Sequence, residues 1–129
     1  MSTNKKAFPV VIIYPEMWLE VAQLDGANRL RAMQDACEAR YITKVTAGDY
    51  DLWVDEEGIY TGQPLNLVGS ALAHRLSGGR AHRLFGPMLI TRAPQGYDAD
   101  VQPLTGHDVE HLAAIHAAFA RVQPDQDDD

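Results

Sequence analysis

Apolar residues recur along this chain in two rhythms, one of two residues and one near 3.6. Phe8 to Tyr14 (Phe-Pro-Val-Val-Ile-Ile-Tyr) is apolar throughout, which predicts a strand covered on both faces and so interior to its sheet. Pro9 fits only near the start of such a strand, because it brings no amide donor to a ladder. Trp18 to Leu24 alternates and predicts a second strand, with Leu19 and Val21 inward, returning through Pro15-Glu16-Met17. A helix competes there, since Glu, Leu and Ala all permit one. From Ala27 to Ala39 the spacing changes: Leu30, Met33 and Cys37, with Ala36 beside them, make one helical stripe, and Asp25 caps its start.

Tyr41 to Thr46 is rich in β-branched and aromatic residues and predicts a third strand. Ala47-Gly48-Asp49 turns the chain. Tyr50, Leu52 and Val54 then alternate with Asp49, Asp51 and Trp53, so the first three point inward and the others outward. Asp55-Glu56-Glu57-Gly58 reads as a hairpin tip, with Gly58 taking a positive φ, and Ile59-Tyr60 as the start of a returning strand. Thr61-Gly62-Gln63-Pro64 stops that strand. Asn66 caps a helix over Leu67 to Leu76, and Ser77-Gly78-Gly79 ends it. Phe85 to Thr91 is a further strand, placed at an edge because of Pro87. The last helix runs from Thr105 to Val122. Thr105 and Asp108 approximate a capping box, and Val109, Leu112, Ile115 or His116, Phe119 and Val122 form its buried stripe.

These elements predict an α+β fold: a mostly antiparallel sheet of five or six strands, with helices Ala27–Ala39, Asn66–Leu76 and Thr105–Val122 mainly on one face. Trp18, Trp53 and Tyr60 are expected on the other face, as an apolar patch that a partner or a second copy would cover.

A chain of 129 residues, 46% hydrophobic and 22% charged, suits one domain, expected over residues 8–123. Residues 1–7 are expected to be a mobile start, and residues 124–129 a disordered acidic tail. Cys37 is the single cysteine, which fits a reducing cytoplasm, and at its helical position it reads as core filler. No signal peptide or membrane span is visible, because the first apolar run is too short for either. The net charge of −7 disfavours general DNA binding and is unevenly spread. Four of the last five residues are Asp, whereas no acid occurs between Gly58 and Tyr97, a stretch that holds Arg75, Arg80, Arg83 and Arg92.

Val-Asp-Glu-Glu-Gly, followed by Gly-Gln-Pro-Leu-Asn, a helix of small residues through Ala71 and the strand Phe-Gly-Pro-Met-Leu-Ile, resembles an uncharacterised domain family. That family is a domain of unknown function, frequent in bacteriophages and actinobacterial mobile elements. The resemblance runs from about Val10 to Ala93 and is densest from Arg40 to Ile90. It implies a genomic setting and carries no activity. This chain departs from the family's pattern between Arg75 and Arg83, where extra basic residues occur.

Three segments carry candidate chemistry. Asp55, Glu56 and Glu57 could form a metal or acid–base site, but adjacent acids on a turn diverge. Together with Trp53 they are read as an interaction surface. Arg75, Arg80, Arg83 and His82, around Gly78-Gly79, could hold a phosphate or carboxylate, against the alternative of a solvated loop. His107-Asp108-Val109-Glu110-His111 has the His-x-x-Glu-His spacing of inverted zinc peptidases, with His107 and His111 able to share a metal and Glu110 to act as base. A third ligand is lacking, too little chain follows to supply one, and the motif sits in a first helical turn where such residues ordinarily face water. The expected function is a non-enzymatic accessory protein that binds a host protein or pairs with itself, with no cofactor. Within that class, spaced acids could mimic nucleic acid. The alternatives are a small-anion or nucleotide binder using the arginine loop, and a metal-dependent hydrolase.

Overall fold

The computed structural model describes residues 7–94 and 101–122, with side chains to Phe119. The expectations for the first six residues, for 95–100 and for the acidic tail lie outside these. Among the described residues, β1 (Ala7–Ile13), β2 (Leu19–Asp25), β3 (Ile42–Ala47), β4 (Tyr50–Asp55) and β5 (Met88–Arg92) form one antiparallel sheet in the order β2-β1-β5-β4-β3. With α1 (Arg29–Ala36), α2 (Leu67–Leu76) and α3 (Gly106–Val122), the fold is α+β as expected.

Two hairpins are joined through β5. The first closes on a turn in which Met17 takes the left-handed conformation (φ 82°) and Met17 N donates to Tyr14 O. In the second, Gly48 (φ 63°) occupies the first position of a two-residue turn between Ala47 and Tyr50, where a positive φ matches the twist of the flanking strands. The expectation that Pro87 places the fifth strand at an edge is overturned, since β5 is the central strand. The ladder starts at Met88, one residue after the proline, so the missing amide removes no bond.

Alternation divides the core. Val11, Ile13, Tyr50, Leu52, Val54, Met88 and Ile90 face α2 and α3, which contribute Val68, Leu72, Leu112 and Ile115. Phe8, Val10, Ile12 and Leu89 face the other way, onto Met33 of α1 and Cys37, its C-cap. One helix therefore covers the face on which an open aromatic patch was expected. Trp53 is half-buried in that second cluster, and its indole donates to Thr91 Oγ1 at 2.9 Å. Trp18 stands by β2 and Tyr60 near β3, beside opposite edges, so the three aromatics share no patch.

Several local expectations change. Asp51 is buried rather than outward, because Lys44 Nζ (3.2 Å) and Thr46 Oγ1 (2.7 Å) meet its carboxylate. Val21 shares a face with buried Val11, yet it is 49% exposed, because an outermost strand has a neighbour on one side only. Leu30 is 62% exposed: α1 is short, and its first turn does not reach the core. That helix ends at Ala36, before the expected Ala39. Glu38 adopts φ 54°, while Glu38 N donates to Asp35 O and Ala39 N to Gln34 O. This is a Schellman stop without the glycine that usually signals it. The glycine version ends α2, where Gly79 N donates to His74 O at 2.8 Å.

Ile59 and Tyr60 form no strand. Residues 56–62 make a compact turn, and Gly58 has no positive φ. Glycine is needed there for space, since a Cβ would lie 2.9 Å from Cβ of Phe85.

Candidate functional site

Two buried polar joints fix the sheet to its helices. Asn66 is fully enclosed. Its Oδ1 accepts from Gly69 N at 2.8 Å, as an N-cap should, and its Nδ2 donates to Ile13 O (2.8 Å) and Gly86 O (2.9 Å). One amide thus joins α2 to β1 and to the approach of β5. A Cβ on Gly69 would meet Asn66 Cγ at 2.8 Å, so this position needs glycine.

The second joint is Asp108. The expected capping box forms: Asp108 Oδ2 accepts from Thr105 N (2.9 Å) and Thr105 Oγ1 (3.0 Å), and Asp108 N donates back to Thr105 Oγ1. The expectation that acids in this turn face water fails for Asp108, which is buried. Its Oδ1 also accepts from Arg92 Nη1 (2.7 Å) and Tyr50 Oη (3.1 Å). Burial alone would raise the Asp108 pKa. The Thr105 and Tyr50 hydrogen bonds and the Arg92 charge more than offset that, so its pKa is lowered. Burial, then the Asp108 charge and hydrogen bond, push Tyr50 up to about 12. His111 is exposed and stacks on Tyr50 at 6.3 Å. His107 and Glu110 are exposed as well. Among the described residues, no cluster of three or more His, Cys, Asp or Glu is placed to hold a metal.

Outside these joints, the acidic turn and the arginine loop converge beside β3. Thr43, Val45, Val54, Asp55, Glu56, Gly58, Ile59, Tyr60, Arg83, Leu84 and Phe85 enclose a groove of about 210 Å³. The turn that carries Ile59 and Tyr60 is stapled from within by Asp55. Its Oδ1 accepts from Glu57 N, and its Oδ2 from Thr61 Oγ1 (2.9 Å) and Gln63 Nε2 (3.4 Å). The turn therefore presents Tyr60, 90% exposed, and Ile59, 67% exposed, from a fixed base. Arg83 lies over the Phe85 ring at 5.7 Å. At the opposite edge, Tyr14, Glu16, Trp18, Leu19, Glu20 and Val21 line a broader depression of about 570 Å³. Its walls come from a single hairpin, and Tyr14 there is engaged with Glu20.

The residues of the expected interaction surface fall in two different environments. Glu56 and Glu57 are exposed. Asp55 is buried and committed to its own turn, because a carboxylate out of water needs donors, and Trp53 is half-buried under α1. Asp51, Asp55 and Asp108 are internal, so they cannot belong to an acidic surface that mimics nucleic acid. Of the arginine loop, Arg75 and Arg80 are exposed, and Arg83 joins the groove. His82 Nε2 is enclosed without a hydrogen-bond partner among the described residues. Cys37 is buried, its thiol donates to Trp53 O at 3.4 Å, and burial pushes its pKa up to about 12, as befits core filler. Sequence reasoning missed Phe85 and Leu84 as groove residues. The signal available was their place between the basic loop and Pro87.

The sheet and groove define a small α+β domain with an open edge and an exposed apolar–aromatic turn beside it. Residues 6–116 match the family described as a domain of unknown function, DUF3846, and the chain belongs to that family. No curated protein and no solved structure matches it. The matched span contains every strand and every groove residue. Among the described residues, no helix is long and apolar enough to cross a membrane.

Proposed function

We propose that this chain is a non-enzymatic interaction module, an accessory product of a phage or mobile element that binds a host protein. The carrying observation is the β3 groove: Ile59 and Tyr60 are held in water by a turn that spends a buried carboxylate on its own shape. An apolar centre with a rim of Glu56 and Arg83 has the anatomy of a protein interface. A pre-shaped turn also lowers the ordering cost of binding. The test is capture from host lysate by the intact chain and by an Ile59→Ser/Tyr60→Ser variant, with mass-spectrometric identification. The expected result is a discrete protein held by the intact chain and lost from the variant, with unfolding curves superimposed. Equal capture by both would overturn the reading.

A second reading is an anion site, favoured by His82 Nε2, which is enclosed and unbonded in the basic segment. Inorganic phosphate should then protect the chain against thermal unfolding. Protection unchanged in an Arg80→Gln/Arg83→Gln variant would remove the loop from consideration.

A further inference from the structure

We infer that the groove takes an extended peptide segment added as a further strand along β3, with one bulky apolar side chain seated by Tyr60 and Phe85 and one acidic residue toward Arg83. The inference rests on the interaction-module reading and specifies the partner's chemistry.

The backbone supplies the first argument. The two-residue turn at Gly48-Asp49 makes Ala47–Tyr50, Val45–Leu52 and Thr43–Val54 the hydrogen-bonded pairs. Ile42, Lys44 and Thr46 therefore aim their N–H and C=O groups away from β4, along the outermost strand. The bond from Glu56 N to Tyr41 O (2.9 Å) continues the same alternation. Such a row is a template for another strand, and proteins usually guard it with proline or with outward lysine. β3 has no proline. Its single charged residue, Lys44, is folded back onto Asp51 and over the Trp53 ring (5.5 Å).

The side chains supply the second. Lys44 covers the α1 face, whereas Thr43 and Val45 lie on the opposite face and form part of the groove. A strand docked about 4.8 Å from β3 sends alternate side chains to that same face. A volume of about 210 Å³ falls below the roughly 300–1,000 Å³ typical of small-molecule sites and suits a single side chain. Charge sets the flank. Arg83 is exposed at the groove, and no acid follows Glu57 in the sequence before Asp98. Asp55 is already committed to its own turn. Glu56 also lines the groove, so one acid is favoured over a run of them.

The experiment selects displayed random linear 12-residue peptides on the full chain, with the Ile59→Ser/Tyr60→Ser variant as the negative selection. The winning peptide is then made with N-methyl groups on alternate amides, in two complementary sets, and titrated by fluorescence anisotropy. One set should weaken binding by about tenfold or more, and the other should leave it nearly unchanged, because only alternate amides of an added strand face β3. The amides of Ile42, Lys44 and Thr46 should gain protection from exchange, and Arg83→Glu should switch the preferred acid to lysine. Equal effects of the two methylated sets overturn strand addition and leave the interaction reading standing, as the lysate capture judges it. Failure to enrich any peptide also overturns strand addition. A dimer of the intact chain that the variant abolishes would seat a second copy in the groove and overturn the peptide assignment.

Discussion

Asn66 and Tyr60 are near neighbours in sequence and are used in opposite ways. Asn66 is fully enclosed, and both its oxygen and its nitrogen are bonded to backbone of three separate segments. Tyr60 lies almost wholly in water, above a groove that adjoins an unpaired strand edge. The same division runs through the molecule. At the Asn66 and Asp108 joints, polar groups are bonded internally, and the fold depends on them. Along the β3 flank, polar and apolar groups are left available, and the fold does not need them. On the proposed reading, stability and recognition therefore occupy different residues, and substitutions should separate the two.

Asn66→Ala should have the largest effect. It removes a helix cap and the buried side-chain donor shared by Ile13 O and Gly86 O, a loss of about 3–5 kcal/mol by chemical denaturation. A loss below about 1 kcal/mol would mean that the joint is held elsewhere. Asp108→Ala should follow at about 2–3 kcal/mol, through loss of the capping box and of the acceptor for the buried Tyr50 hydroxyl.

The pH dependence of unfolding tests the same joint without a cavity. The Asp108 pKa is lowered in the fold, so its contribution is present above the ordinary carboxylate range and is lost as pH falls through the folded value. Asp108→Asn should flatten that acid limb. Tyr50 is raised from 10.0 to about 12, so its contribution is complete below pH 10 and is lost between there and about 12. Tyr50→Phe should remove the alkaline part. An unchanged profile in both variants would show that the network does not couple protons to folding.

At the small end, Ile59→Ser/Tyr60→Ser should shift unfolding by no more than about 0.5 kcal/mol, as surface changes do, while abolishing capture of the partner. A large loss of stability there would collapse the contrast between joint and flank.

Much of the joint was legible beforehand. Asn66 as a cap, helix Leu67 to Leu76, and the Thr105–Asp108 box are local chemistry, in which a side chain bonds backbone two or three residues away. The four strands read from Phe8, Trp18, Tyr41 and Tyr50 follow from apolar spacing, with ends shifted by a residue or so. The flank was half legible. The acidic turn and the arginine loop each stood out, yet nothing in their spacing said that Glu56 and Arg83 border one groove.

Local alternation and capping chemistry, carried by the sequence, settled which segments are strands and helices, because those preferences act within a few residues. The order β2-β1-β5-β4-β3 was left to the tertiary structure, which put a proline-preceded strand at the centre and β3 at an edge. Burial was settled there too. Asp51, Asp55 and Asp108 read as surface acids until their donors arrived: Lys44 and Thr46 from a paired strand, Thr61 and Gln63 from a folded turn, and Arg92 and Tyr50 from paired positions on β5 and β4. An acid's place in a protein depends on what can donate to it, and those donors come together only when the chain is folded.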